Sequence, residues 1–185
     1  DDFVSNTFVG AGFVLANAGE QSAKGLEFDL LYSPTENIDV AFSGMFIDSK
    51  YDSFVGSAAG DISGQDVEGV HPESLSASVT WNWQANSLSG YARVHYQHDS
   101  NVVIRPEPAA NVLLSANGHH ERSRGLLNAS IGVERNGWEM VLWGRNLTND
   151  EFLITAFPAV ATQQTQWSGY PNEPRMWGVS LSKQF

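Results

Sequence analysis

The stretch SLSASVTWNW, residues 74–83, alternates without a single exception. Leu75, Ala77, Val79, Trp81 and Trp83 fall on one side, and Ser74, Ser76, Ser78, Thr80 and Asn82 fall on the other. A period of two places successive side chains on opposite faces of a β-strand, whereas a helix would space its apolar residues three and four apart. What covers the apolar face decides the fold. A second sheet would make a sandwich; lipid would make a membrane barrel.

The same pattern extends outward along the chain. Upstream, Lys24–Tyr32 sets Leu26, Phe28, Leu30 and Tyr32 against Gly25, Glu27, Asp29 and Leu31. Ile38–Ile47 sets Ile38, Val40, Phe42, Gly44 and Phe46 against Asp39, Ala41, Ser43, Met45 and Ile47. Downstream come Leu88–Gln97, Leu127–Glu134, Trp138–Arg145 and a closing segment carrying Trp177, Val179, Leu181 and Phe185. Thr7–Leu15 is expected to be a strand as well. No segment carries a helical period of useful length.

Short and long connections alternate. Short turns are expected near Pro34–Asn37, Gln84–Ser87 and Arg135–Gly137, where Asn136-Gly137 is a strong hairpin signal. Long connections are expected over Ala16–Ala23, Asp52–Pro72, His98–Ser123 and Leu147–Glu173. An up-and-down meander then carries its short turns at one end and its long loops at the other, the layout of outer-membrane barrels. The aromatics agree with it. Tyr32, Trp81, Trp83, Trp138 and Phe185 lie on the apolar face near the short-turn end; Phe46, Tyr96 and Trp177 lie near the other. Two aromatic belts around an aliphatic band suit a bilayer, while a sandwich core places its largest residues in mid-strand.

Composition narrows the function. With 10 Lys+Arg against 21 Asp+Glu, the formal net charge is -11, which disfavours nucleic acid as a partner. The absence of cysteine excludes disulfides, thiolate metal sites and Cys nucleophiles. No run of apolar residues is long enough for a transmembrane helix. No base–nucleophile constellation accompanies Glu27, Asp29, Glu139 or Arg145, so no enzyme activity, cofactor or metal is expected.

Three stretches carry a family resemblance. NAGEQSAKGLEFDLLYSPTENIDV (Asn17–Val40), WEMVLWGRNLTNDEF (Trp138–Phe152) and PRMWGVSLSKQF (Pro174–Phe185) resemble, in order and spacing, the C-terminal part of a TonB-dependent outer-membrane receptor. Lys183 departs from the pattern, where an aromatic or apolar residue is commoner. The resemblance implies an all-β, antiparallel up-and-down transmembrane barrel segment: about eight strands of a barrel of about 22. Residues 1–185 would be the C-terminal part of that barrel, with the plug and TonB box absent. Residue 185 reads as a native end and residue 1 does not read as a native beginning. The implied function is active import of a scarce nutrient such as siderophore-bound iron, cobalamin, haem or oligosaccharide. The implied partners are outer-membrane lipid, the rest of the barrel and plug, the TonB complex, the barrel-assembly machinery and the ligand. Trp177, Val179, Leu181 and Phe185 would form the C-terminal assembly signal.

Candidate ligand contacts come with plainer alternatives. Trp167 and Tyr170 in the last long connection suit stacking on a sugar or siderophore ring, or packing against a neighbouring loop. His119 and His120 suit a metal or haem iron, or a solvated loop without a third ligand. Arg93 and His95 alternate into the polar face, for substrate contact or for structure. Two other architectures stay open: a small stand-alone outer-membrane barrel for adhesion or anchoring, and a secreted carbohydrate-binding sandwich.

Overall fold

In the computed structural model of the chain, residues 2–9, 12–55, 61–104, 121–160 and 163–184 are described, with side chains over 19–55, 61–104, 121–156 and 168–184. Ten strands follow one another: β1 (Asp2–Val9), β2 (Gly12–Thr35), β3 (Ile38–Ser53), β4 (Glu73–Ala85), β5 (Leu88–Val103), β6 (Glu121–Arg135), β7 (Trp138–Arg145), β8 (Leu153–Val160), β9 (Gln163–Pro171) and β10 (Met176–Lys183). Eight form one antiparallel sheet in the order β1-β2-β3-β4-β5-β6-β7-β10. The remaining pair, β8 and β9, makes a separate hairpin inside the last long connection.

Three two-residue turns define one end of the sheet: Glu36-Asn37, Asn86-Ser87 and Asn136-Gly137. Asn136 and Gly137 both take positive φ, 52° and 75°, the backbone of a hairpin turn whose twist matches its strands. β10 ends beside this turn. The Gln184 N–H donates to the Gly137 carbonyl at 2.9 Å. The Lys183 ammonium donates to the Asn136 carbonyl at 2.6 Å and lies 5.3 Å from the Trp138 ring centroid. Lys183 thus keeps its charge at the turn end while its stem runs along the strand.

The apolar face is uncovered. Val79, Trp81, Val94, Ile131, Met140, Leu142, Val179 and Leu181 are all exposed, Leu142 at 48% and Trp177 at 77%. No second sheet or helix packs there among the described residues. The buried apolar residues, Tyr51, Phe54, Ile62, Val102, Ile104 and Ala156, gather at the long-loop end instead. One cluster joins Tyr51, Phe54 and Ile62 with Val67, and another joins Ile104 and Ala156 with Leu153. A sandwich requires the opposite arrangement, with its core in mid-strand between sheets.

Two expectations from the sequence are corrected. Thr7–Leu15 is not one strand: β1 ends at Val9 and β2 doubles back from Gly12, with pairing from Asp2↔Glu20 to Val9↔Gly12. Ala16–Ala23 is therefore strand and not a long connection, and strict alternation of short and long connections fails at this point. The reason lies in length. β2 has 24 residues, against the roughly 9–11 that a tilted strand needs to cross a bilayer. Beyond the lipid no apolar face is required, so polar and small residues continue the ladder without leaving an alternation to read. The β8–β9 hairpin was hidden for the same reason. Phe185 lies outside the described residues.

A charge on the outer face should therefore be costly and one on the inner face cheap. Val79→Arg is expected to destabilise the protein by about 2–4 kcal/mol in urea unfolding from phospholipid bilayers. The neighbouring Ser78→Arg is expected to stay within about 0.5 kcal/mol. Equal costs would mean that the two faces meet the same medium.

Candidate functional site

The polar face is a wall of short hydroxyls and amides interrupted by charges. Its rows follow from strand register. Thr80 pairs with Arg93, Arg93 with Ser130, and Ser130 with Trp143; one row up, Ser78 pairs with His95 and His95 with Asn128. A hollow of about 470 Å³ opens where these rows meet, lined by Arg93, His95, Asn128, Trp143, Arg145 and Ser180 among others. The Trp143 Nε1–H donates to Ser180 Oγ at 3.1 Å, and the Arg145 guanidinium lies 5.4 Å from the Trp143 ring centroid. His95 Nε2 is 3.0 Å from Ser76 Oγ.

A second hollow of about 300 Å³, spanning β2 to β5, is acidic, with Glu27, Asp29 and Asp99 in its lining. Asp99 is 1% exposed, and its carboxylate is fully engaged. It accepts from Ser74 Oγ at 2.6 Å and Gln97 Nε2 at 3.0 Å, and Arg124 Nε lies 2.7 Å away.

At the long-loop end a cleft of about 500 Å³ runs between residues 64–72 and the tops of β5 and β6, with Asp66, Glu68 and Glu121 in its rim. Burial pushes the Tyr51 phenol beneath it above the usual tyrosine value. Beside it the Asp61 carboxylate, accepting from the Ser63 hydroxyl and amide, is held below the usual range. Arg122 is held below the usual arginine range, chiefly by burial and then by Arg124; it donates to the carbonyls of Leu153 and Ile154 at the foot of β8.

A hydrogen-bonded knot holds the β8–β9 hairpin to the sheet. Asn146, 4% exposed and at φ 48°, donates from Nδ2 to the Asp150 and Glu173 carbonyls, both at 2.9 Å. Its Oδ1 accepts from the Asp150 amide at 2.9 Å. The Asp150 carboxylate takes the Gly125 amide at 2.6 Å, and Asn172 Oδ1 takes the Phe152 amide at 2.9 Å. Both ends of the excursion are thus tied to one point at the top of β7.

Of the residues singled out from sequence, Arg93 and His95 come together in one hollow. Tyr170 is exposed on β9 and pairs with Thr155; Trp167 pairs with Pro158 in the same ladder. His119 and His120 lie outside the described residues. Trp177, Val179 and Leu181 stand on the uncovered apolar face. Glu139 accepts from the Ser182 hydroxyl at 3.1 Å, while Arg145 turns to Trp143. Sequence reasoning passed over Trp143, Asp99, Arg124, Asn146 and Asn172. Only the register of distant strands brings them to their partners. Among the described residues no group of His, Asp and Glu is arranged to hold a metal ion.

The model of the TonB-dependent receptor-like β-barrel matches residues 1–147. The chain belongs to the TonB-dependent receptor β-barrel family. Solved structures agree on the fold. The ferric yersiniabactin uptake receptor FyuA from Yersinia pestis superposes with a TM-score of 0.70 at 14% identity, over 90% of this chain and 24% of that one. BauA, the ferric preacinetobactin receptor of Acinetobacter baumannii, gives 0.62 at 15% identity, over 100% of this chain and 25% of that one. The chain therefore spans about a quarter of the length of these receptors. No curated protein matches it in sequence. The family is one of outer-membrane transport receptors, and the meander, the uncovered apolar face and the polar wall are this chain's share of such a barrel.

Asn146→Ala is expected to cost about 1–3 kcal/mol, because it strands buried amides and carbonyls and leaves a positive-φ residue without its side-chain bonds. Hydrogen exchange should quicken at Asp150 and across β8 and β9, with β4 and β5 unchanged. Unaltered exchange at Asp150 would show that the knot does not hold the hairpin.

Proposed function

We infer that the chain is the C-terminal portion of an outer-membrane barrel that imports a scarce nutrient, with energy supplied by the TonB complex through a segment outside this chain. The observation carrying the reading is the uncovered apolar face, backed by a polar wall, in a chain of this family. An apolar face of that extent is tolerated only against lipid or a partner. The wall then lines the receptor's interior, where a plug sits, and the long-loop end points outward to meet ligand. Ferric siderophores are the favoured substrate class, because both structural neighbours are receptors for ferric siderophores by their descriptions. In this reading the protein binds and passes its ligand without chemistry, and Tyr170, exposed on β9, is proposed to meet ligand, as are Trp167, His119 and His120 on sequence grounds alone.

The terminal strand serves assembly. In this reading Trp177, Val179 and Leu181 of β10, with Phe185 after them in the sequence, are what the barrel-assembly machinery would read, and β10 offers its open edge to the strand that closes the ring. β10 pairs with β7 on one side only among the described residues.

Deleting the gene is expected to abolish uptake of a radiolabelled ferric siderophore by the source strain under iron limitation. Removing TonB from an otherwise intact strain should do the same. Uptake that survives deletion of the receptor across a panel of siderophores, haem and cobalamin would refute the transport reading.

A further inference from the structure

We propose that Arg93 and Arg145, with His95 beside them, form an anion-binding station partway down the polar wall, suited to a small molecule bearing carboxylates. The proposal rests on the reading of that wall as the lining of a passage. It adds a site distinct from the outward capture surface, at a stated depth and with a stated ligand chemistry.

Charge is the first argument. The chain carries a formal net charge of -11, yet this hollow gathers two guanidiniums and an imidazole. Among the described residues, ion pairs join Lys24 to Asp48 and Arg124 to Asp99; neither Arg93 nor Arg145 is paired with a carboxylate. Cations on protein surfaces often stand alone in water, but these two converge on one concavity.

Preorganisation is the second. The Arg145 guanidinium lies 5.4 Å from the Trp143 ring centroid, within cation–π range, and Trp143 is pinned twice. Its indole N–H is fixed on Ser180. Its ring lies across Gly178, where a Cβ would come within 2.6 Å of ring carbon Cζ2, so only glycine admits the ring in this position. A guanidinium held in this way keeps its planar fork for a bidentate carboxylate and loses less side-chain entropy on binding. Ser130 and Asn128 add short neutral donors between the two arginines.

Size and depth are the third. The hollow, about 470 Å³, is within the range of small-molecule sites. Arg93 is the sixth of 16 residues in β5, counted from the turn end, so the station lies well below the long-loop cleft. The hollow lined by Glu27, Asp29 and Asp99, elsewhere on the same wall, carries the opposite charge and would repel an anion.

The test uses the purified full-length receptor in detergent, with tricarballylate as probe and glycerol, its neutral three-carbon counterpart, as control. Calorimetry at low salt should show saturable, one-site binding of tricarballylate and none of glycerol. Arg93→Gln and Arg145→Gln should each weaken it at least tenfold, and the double variant should abolish it. Arg145→Lys should fall between, since it keeps charge but loses the fork. Retained heat-modifiable gel mobility will show that each variant is folded. The proposal is overturned if the folded receptor does not bind tricarballylate, as when a carboxylate of the receptor itself already occupies both arginines. It is equally overturned if the double variant binds as well as the parent. Uptake by the deletion strain is read separately. Normal receptor-dependent uptake without tricarballylate binding removes the station alone, and tricarballylate binding without receptor-dependent uptake removes the transport reading alone.

Discussion

Backbone amides and carbonyls have no water to turn to inside a bilayer, so each must find its partner within the protein. That constraint governs the sheet. It selects an uninterrupted antiparallel ladder from β2 to β10, joined at one end by turns of two residues that waste no backbone. Once the ladder is fixed, side chains must alternate between two media. In this account Val79, Trp81, Ile131, Leu142 and Leu181 go outward to lipid, while Ser78, Thr80, Asn128, Arg93 and Arg145 go inward, with Trp143 among them. On the proposed reading the sheet needs no core of its own, because lipid shelters its apolar side chains.

Beyond the bilayer the rules revert to those of soluble proteins, and the structure changes character there. Tyr51, Phe54 and Ile62 pack as a small core, Asp99 is buried among donors, and Asn146 ties the β8–β9 excursion to the sheet. The division explains why, among the described residues, the buried apolar side chains collect at one end. It also separates two functional surfaces. The end proposed to meet ligand carries the connection over residues 61–72 and the β8–β9 hairpin. The wall below is built on rigid strands, where register fixes which side chains meet.

Much of this was legible in the sequence because a strand's period is set by geometry alone. The faces of β3, β4, β5, β6, β7 and β10 follow from alternation, and the Asn136-Gly137 turn follows from backbone preference. What stayed hidden depends on contacts between distant residues. β1 and the upper half of β2 carry no apolar alternation because no lipid demands it there. The meeting of Arg93 with Trp143 and Arg145 depends on the registers of β5, β6 and β7 together. The knot at Asn146 spans from Gly125 to Glu173 and leaves only an unremarkable Asn-Leu-Thr in the local sequence.

The central claim is that one face of this sheet meets lipid and the other meets water. Cysteine substitution along β7, in a receptor with any cysteine outside this chain replaced, tests it most directly; these 185 residues contain none. Spin labels at each position from Glu139 to Arg145, in the receptor reconstituted in bilayers, should alternate with a period of two. Positions 140, 142 and 144 should be relaxed by oxygen, and 139, 141, 143 and 145 by a water-soluble nickel complex. Accessibility without that alternation, or with the two faces exchanged, would contradict the account.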